Sequence, residues 1–395
     1  MITYPKITLK HGKEEALKRQ HPWVFSGAIH QIDAHVEEGS IVEVYSARNE
    51  FLGMGHYNEG SIAVRVFSFE KVNPDKDYWK SKLEKALSFR EELGLCNGPN
   101  TNVYRLVFGE GDGLPGLIID YYNGTAVIQC HSWGMYLLRT VFAEALQEIY
   151  GYKLQSVFLK TKETLPAKFS DKVEDEYIIR GTSEQIVSEN ACKFFVDWET
   201  GQKTGFFIDQ RENRKLLMHY CKEKKVLNTF CYTGGFSVYA LKAGAALVHS
   251  VDSSAKAIEL TDKNIALNHF STEHHQSFKA DVMEFLKNTE ETYDLIILDP
   301  PAYAKHVKTR HNAMQGYKRL NETAIRKINK SGFIFTFSCS QVVDSSLFRS
   351  TVIAAAIESK RNVRIIAQLT QPPDHPVSAF HPEGEYLKGL VLFVE

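Results

Sequence analysis

Tyr293-Asp294-Leu295-Ile296-Ile297-Leu298-Asp299-Pro300-Pro301 is an apolar run that ends in an acid and two prolines. Consecutive aliphatic residues leave no polar face, so the strand they predict is covered on both sides, as in a parallel sheet flanked by helices. Each proline fixes φ and removes an amide donor, which stops the strand and presents Asp299 in a set pose. Outward from this stretch, buried-strand runs alternate with helical spacing from about residue 198 to the end. Strands are predicted at 225–229, 247–252, 276–280, 293–298, 332–337, 363–369 and 389–394. The last two are joined by a loop rather than a helix, which makes them an antiparallel pair. The expected fold class is α/β, with a doubly wound Rossmann-like sheet over residues 198–395.

Upstream the periodicity differs. Residues 41–45, 51–57 and 62–67 alternate apolar and polar positions between turns, predicting a small β-barrel over 1–70. A polar stretch closes it, and from Tyr78 to Leu95 the spacing of Trp79, Leu83, Leu87 and Leu93 predicts a helix. A middle α+β domain is expected over 71–197, with one long helix at 135–150. Asn123-Gly124, between two strand-like runs, signals a two-residue hairpin, since both turn positions need positive φ.

The chain has 395 residues, 47 basic and 48 acidic side chains, and 43% apolar content. It is therefore no polyelectrolyte, and nucleic-acid contact has to come from local patches. No apolar run approaches the roughly 20 residues of a membrane span, and the first residues lack the plan of a secretion signal, so the expectation is a cytoplasmic protein with no membrane partner. Six scattered cysteines argue against both a disulfide framework and a zinc knuckle. The histidines show no metal spacing, and no metal is expected.

In an open parallel sheet, ligands bind beyond the carboxyl ends of the strands. There the first strand leads through Thr229, Phe230, Cys231, Thr233 and Gly234 into a helix whose free amides suit a carboxylate. Asp252, ending the second strand, could accept bonds from ribose hydroxyls, and Asp281, just past the third, could meet an adenine amine. Both could equally cap the helices that follow them. The dinucleotide fingerprint is absent, which disfavours a dehydrogenase.

A strand-end acid before two prolines recurs in methyltransferases acting on planar nitrogen groups and nucleobases. The next strand ends in Ser338-Cys339-Ser340, so a thiol would share the cleft with Asp299. Carbon 5 of cytosine is a poor nucleophile, but thiolate addition at carbon 6 makes it enamine-like, after which methylation, proton loss and thiol elimination can follow. Cys339 is the candidate nucleophile, and Asp299 the group that holds the base and polarises its ring nitrogen. The plain alternative for Cys339 is a small buried residue. After Pro300 and Pro301, Lys305, Lys308, Arg310, Lys318, Arg319, Arg326, Lys327 and Lys330 face a single acid, Glu322. Pro300, Lys305, Lys308, Arg310 and Arg319 are the candidate RNA contacts at the cleft mouth; a solvated helix face is the alternative.

Taken together, His21-Pro22-Trp23-Val24-Phe25-Ser26-Gly27, the segment Phe108 to Gly116, Thr204-Gly205-Phe206-Phe207-Ile208-Asp209-Gln210-Arg211, the Asp299 turn, Ser338-Cys339-Ser340 and Asp374-His375-Pro376 make the chain resemble the RlmI-like family of 23S ribosomal RNA cytosine-5 methyltransferases. The resemblance implies an amino-terminal PUA domain, S-adenosyl-L-methionine as methyl donor, ribosomal RNA as partner and a homodimer. It also implies Cys339 as nucleophile and Asp209, Gln210 and Arg211 as a strand-and-loop wall of the cofactor pocket. Ala302 stands where many two-cysteine relatives carry a second thiol, so the group that removes the carbon 5 proton has no assignment. The nearest competing reading is an adenine or guanine N-methyltransferase using Asp299 without a thiol, and beyond that a non-catalytic RNA-binding module.

Overall fold

The computed structural model describes residues 3–96, 98–182, 184–304 and 306–395. Contacts gather the chain into two compact units: Met1–Val187 with Val196–Ile208 and Pro373–Gly384, and Ser188–Phe195 with Asp209–Pro372 and Glu385–Glu395.

The first unit holds two sheets. One has six strands in the order Trp23–Phe25, Ile62–Ser68, Phe51–Tyr57, Ile41–Tyr45, Lys6–Leu9, Ile29–Ile32. Its inward positions, among them Ile7, Leu9, Val42, Val44 and Val64, form a small core of their own. The other has five strands and packs on helices Lys76–Glu92 and Arg139–Tyr150 through Trp79, Leu83, Phe142 and Leu146. Its Asn123-Gly124 hairpin forms as expected, with φ of 44° and 97° and Tyr122 opposite Thr125. The long helix expected at 135–150 is instead two, Trp133–Leu137 and Arg139–Tyr150. At the junction the Leu138 amide closes a tighter turn onto the Met135 carbonyl at 3.2 Å, which interrupts the α ladder.

Several segments that carry the family resemblance meet inside this unit and act as scaffold. Trp23 Nε1 donates to Glu110 Oε1 at 2.8 Å, the Arg90 guanidinium grips Asp112 through both nitrogens, and Asp374 Oδ2 accepts from the Arg105 amide at 3.0 Å. A Cβ on Gly111 would lie 1.9 Å from the Pro376 carbonyl oxygen, so only glycine fits.

The second unit is built on seven strands, here β1 Lys225–Thr229, β2 Leu247–Asp252, β3 His275–Lys279, β4 Tyr293–Leu298, β5 Ile328–Ser338, β6 Val363–Thr370 and β7 Lys388–Val394. The sheet order is β3-β2-β1-β4-β5-β7-β6. The first five are parallel and β7 runs antiparallel to both β5 and β6. Helix α1 Arg211–Leu217 precedes β1, and α2 Gly235–Lys242, α3 Ala255–Leu267, α4 Val282–Asn288, α5 Arg310–Lys327 and α6 Ser345–Ser359 supply the crossovers. Strand order reverses between β1 and β4, so a crevice is expected beyond their carboxyl ends. β5 starts four residues earlier than predicted, because Ile328 pairs with Tyr293 across a register shift. No helix among the described residues is long and apolar enough to cross a membrane.

Candidate active site

β4 and β5 run side by side with Leu298 paired to Thr336, so Asp299 and Cys339 leave the same edge of the sheet. Pro300 and Pro301 have no amide to offer the Asp299 carboxylate. Its partner is a side chain instead: Gln210 Nε2 donates to Asp299 Oδ2 at 3.0 Å, with the Gln210 amide steered by Asn213 Nδ2, 2.6 Å from Gln210 Oε1. Burial, and secondarily the charge of Asp209, push the Asp299 carboxyl up from 3.8 to about 7.

The Cys339 loop is fixed on both sides of the sulfur. Ser340 Oγ shares a proton with Tyr317 Oη at 2.9 Å, and Lys388 Nζ donates to the carbonyls of Ser340 and Val343 at 2.8 and 2.7 Å. Ser338 and Ser340 are fully buried, whereas Cys339 between them is partly exposed. Burial first, then the charges of Asp299 and Asp209, push that thiol up to about 12. A resting thiolate is thereby disfavoured, and attack requires proton removal in concert. Cys130, Cys192, Cys221 and Cys231 are buried, as structural thiols are.

Asp209, Gln210 and Arg211 form no strand: a 3-10 turn, Ile208–Gln210, runs straight into α1. Asp209 Oδ2 accepts from Tyr386 Oη at 2.6 Å, whereas Asp209 Oδ1 is buried with no hydrogen-bond partner. Arg211 is buried and its Nε lies 3.3 Å from Glu212 Oε1. One turn on, Arg214 makes a paired bond to the buried Glu189 at 2.9 and 2.8 Å, and Tyr239 Oη donates to the same carboxylate. Arg214 also lies within 3.2 Å of where a Gly235 Cβ would stand, so this ion pair props the start of α2.

The loop after β1 is folded by left-handed residues at every second position: Phe230, Tyr232 and Gly234 have φ of 53°, 46° and 74°. Such alternation turns amides toward one concavity. Gly234 must be glycine, since a Cβ there would come within 2.8 Å of Thr261 Cγ2. The other expected cofactor residues divide. Thr229 Oγ1 donates to the Ile297 carbonyl at 2.6 Å and stitches β1 to β4, Cys231 is buried against Thr261, and the Thr233 carbonyl accepts from Asn264. Asp252 closes the loop by accepting from the Tyr232 and Ser254 amides at 3.0 and 2.9 Å. Asp281 caps α4, accepting from the Glu284 amide at 3.0 Å.

Of the candidate RNA contacts, Lys308, Arg310 and Arg319 are exposed, Pro300 is buried, and Lys305 lies outside the described residues. The basic run is not uniform: Lys318 pairs with Glu358, Arg326 with Glu322, and Lys327 bonds the Thr289 carbonyl. Those three brace α5, which leaves Lys308 and Arg310 at its start, on the side where β4 ends. In the first unit, His21, His381 and Glu383 bring potential ligand atoms within 4.8 Å of one another. The Trp23 amide donates to His21 Nδ1 at 3.2 Å and His21 Nε2 lies 3.4 Å from Glu383 Oε1, while both ring nitrogens of His381 are buried without a hydrogen-bond partner.

Tyr386, Lys388, Arg214 and Glu189 escape a reading of the sequence. Lys388-Gly389 at the mouth of an apolar strand is a faint signal, because a lysine so placed has to bury its stem; Glu189 carries none.

Residues 7–69 match a family described as a PUA-like domain, and residues 176–385 match one described as S-adenosylmethionine-dependent methyltransferase. The chain is 38% identical to a Shewanella frigidimarina protein named ribosomal RNA large subunit methyltransferase I, over 98% of this chain and 99% of that one. A protein of the same name from Aliivibrio fischeri is 37% identical over equal shares. Among solved structures, a putative SAM-dependent methyltransferase from Streptococcus mutans superposes with a TM-score of 0.85 at 23% identity, covering 98% of this chain and all of that one.

Proposed function

The chain belongs to the ribosomal RNA large subunit methyltransferase I family, S-adenosylmethionine-dependent RNA methyltransferases with a PUA-like domain, and from that premise we propose that it forms 5-methylcytosine in 23S ribosomal RNA through Cys339. The observation that carries this reading is the partly exposed Cys339 leaving the sheet beside Asp299, a carboxyl pushed up to about 7. A carboxyl poised near neutrality can both give and take a proton at working pH.

Bound S-adenosylmethionine supplies an electrophilic methyl group. Its pocket is assigned to the Phe230 to Gly234 loop, the first turn of α2, Asp252, Asp281, and the Asp209 to Arg211 turn. The alternating left-handed backbone and the glycine-only position at Gly234 favour a close ligand there. Asp299 hydrogen-bonds the cytosine and delivers its proton to ring nitrogen 3. As it does so it accepts the proton of Cys339, so one proton passes from sulfur to nitrogen while sulfur bonds to carbon 6. Such a relay suits a thiol held near 12, which has no standing thiolate. Lys308, Arg310 and Arg319 meet phosphates, and the target base leaves its stack to reach the recessed sulfur. The domains divide accordingly into an RNA-binding 1–70, a middle 71–197 and a catalytic 198–395.

The test is Cys339→Ala, followed by methyl incorporation into ribosomal RNA and by calorimetry with S-adenosylmethionine. Turnover should disappear with cofactor affinity unchanged. Retained turnover would instead point to N-methylation through Asp299 alone.

A further inference from the structure

The cytosine reading leaves one proton without a destination, the one on carbon 5, and the polar groups described beside Cys339 and Asp299 are mostly engaged already. Lys388 Nζ already donates to two carbonyls, and the Ser340 hydroxyl is tied to Tyr317. Asp299 begins with the relay proton and carries the Gln210 donor. Ala302 offers no acceptor.

Asp209 differs from all of these. Its Oδ2 is anchored by the Tyr386 hydroxyl at 2.6 Å, while Oδ1 is sequestered from water with nothing to bond. A buried carboxylate oxygen without a donor is costly in a finished structure and is expected to be filled by what binds. Its charge acts on both Asp299 and Cys339, so it lies near the two groups that engage the base. Two carboxyls whose surroundings differ in this way divide acid from base work: Asp299 keeps its proton in an amide-free turn, and Asp209 presents a lone pair that nothing engages.

We propose that Asp209 Oδ1 is the base that removes the carbon 5 proton, with Tyr386 as the residue that positions it. The inference rests on the cytosine reading above. In the adduct, Cys339 sulfur is bonded to carbon 6 and the methyl group to carbon 5. Asp209 takes the carbon 5 proton, the electrons of that C–H bond form the 5,6 double bond, and the C–S bond breaks with its pair going to sulfur. The proton on nitrogen 3 returns through Asp299 to the sulfur. One proton remains on Asp209 and is lost to solvent when the product leaves, which balances the positive charge lost from the methyl donor.

Asp209→Asn keeps the shape and the Tyr386 contact but cannot take the proton. With ribosomal RNA and S-adenosylmethionine, turnover should fall roughly 10²–10⁴-fold. The first methyl transfer should still occur, giving one equivalent of S-adenosylhomocysteine and an RNA–protein adduct that survives denaturing electrophoresis and is absent when Cys339→Ala is added. Tyr386→Phe should show the milder form, release slowed roughly tenfold with a longer-lived adduct. RNA carrying 5-fluorocytosine has no proton to lose there, so the wild-type protein should be trapped on it. If wild-type trapping works but Asp209→Asn is inactive without burst or adduct, or turns over normally, the assignment to Asp209 is wrong and the cytosine reading stands. If the wild-type protein is not trapped, both fall.

Discussion

Asp252 and Asp299 both close parallel strands of one sheet, yet their surroundings are opposite. Asp252 is followed by residues with amides to give, and its two oxygens accept from Tyr232 and Ser254, which folds the loop after β1. Asp299 is followed by Pro300 and Pro301, which have none, and its hydrogen bond comes from the Gln210 side chain. Backbone donors satisfy the Asp252 oxygens; the Asp299 carboxyl lacks them, and burial raises its proton affinity to about 7. The lesson is that an acid at a strand end is structural or chemical according to whether backbone amides reach its oxygens.

The comparison breaks most severely at Asp299→Asn, for which methyl transfer should fall roughly 10²–10⁴-fold because the proton relay is gone. Stability should move the other way. The Asp299 carboxyl is raised in the folded chain, so its contribution is full below the ordinary value of 3.8 and is lost as pH rises through about 7. The asparagine variant should therefore melt higher than wild type at pH 8, and the difference should vanish in acid; thermal unfolding at both pH values checks it.

Pro300→Ala sharpens the contrast by returning one amide to the turn. Asp299 should ionise more readily, moving the alkaline limb of the rate profile to lower pH and costing roughly tenfold in rate at pH 8. A limb that stays near pH 7 would mean that the prolines do not set the proton affinity. The smallest effect is expected at Asp281→Ala, where the loss of the α4 cap should cost about 1 kcal/mol of stability, read by denaturant unfolding, with little change in turnover at saturating methyl donor.

What the sequence made legible follows from which forces are local. The strand bounds at Lys225–Thr229, Leu247–Asp252 and Tyr293–Leu298 could be read directly, because apolar runs of that length bury on both faces whatever their neighbours. The left-handed positions in the Phe230 to Gly234 loop could be read only at glycine, since Phe230 and Tyr232 adopt positive φ under tertiary constraint. The pairing of Asp209 with Tyr386 joins residues 177 positions apart, and no local pattern announces it. The basic run after the diproline looked uniform because opposite charges on α6, such as Glu358, are invisible along the chain. Segments that carried the family resemblance in the first unit proved to be its internal fastenings.

The most direct measurement is difference infrared spectroscopy of the carboxyl region on wild type and Asp299→Asn across a pH series. The account predicts a protonated carboxyl band, missing from the variant, that persists through mildly acid solution and titrates away as pH rises through about 7. If the two proteins gave the same spectrum above about pH 5, where ordinary carboxyls are ionised, Asp299 would hold no proton to relay and the mechanism would fail at its first step.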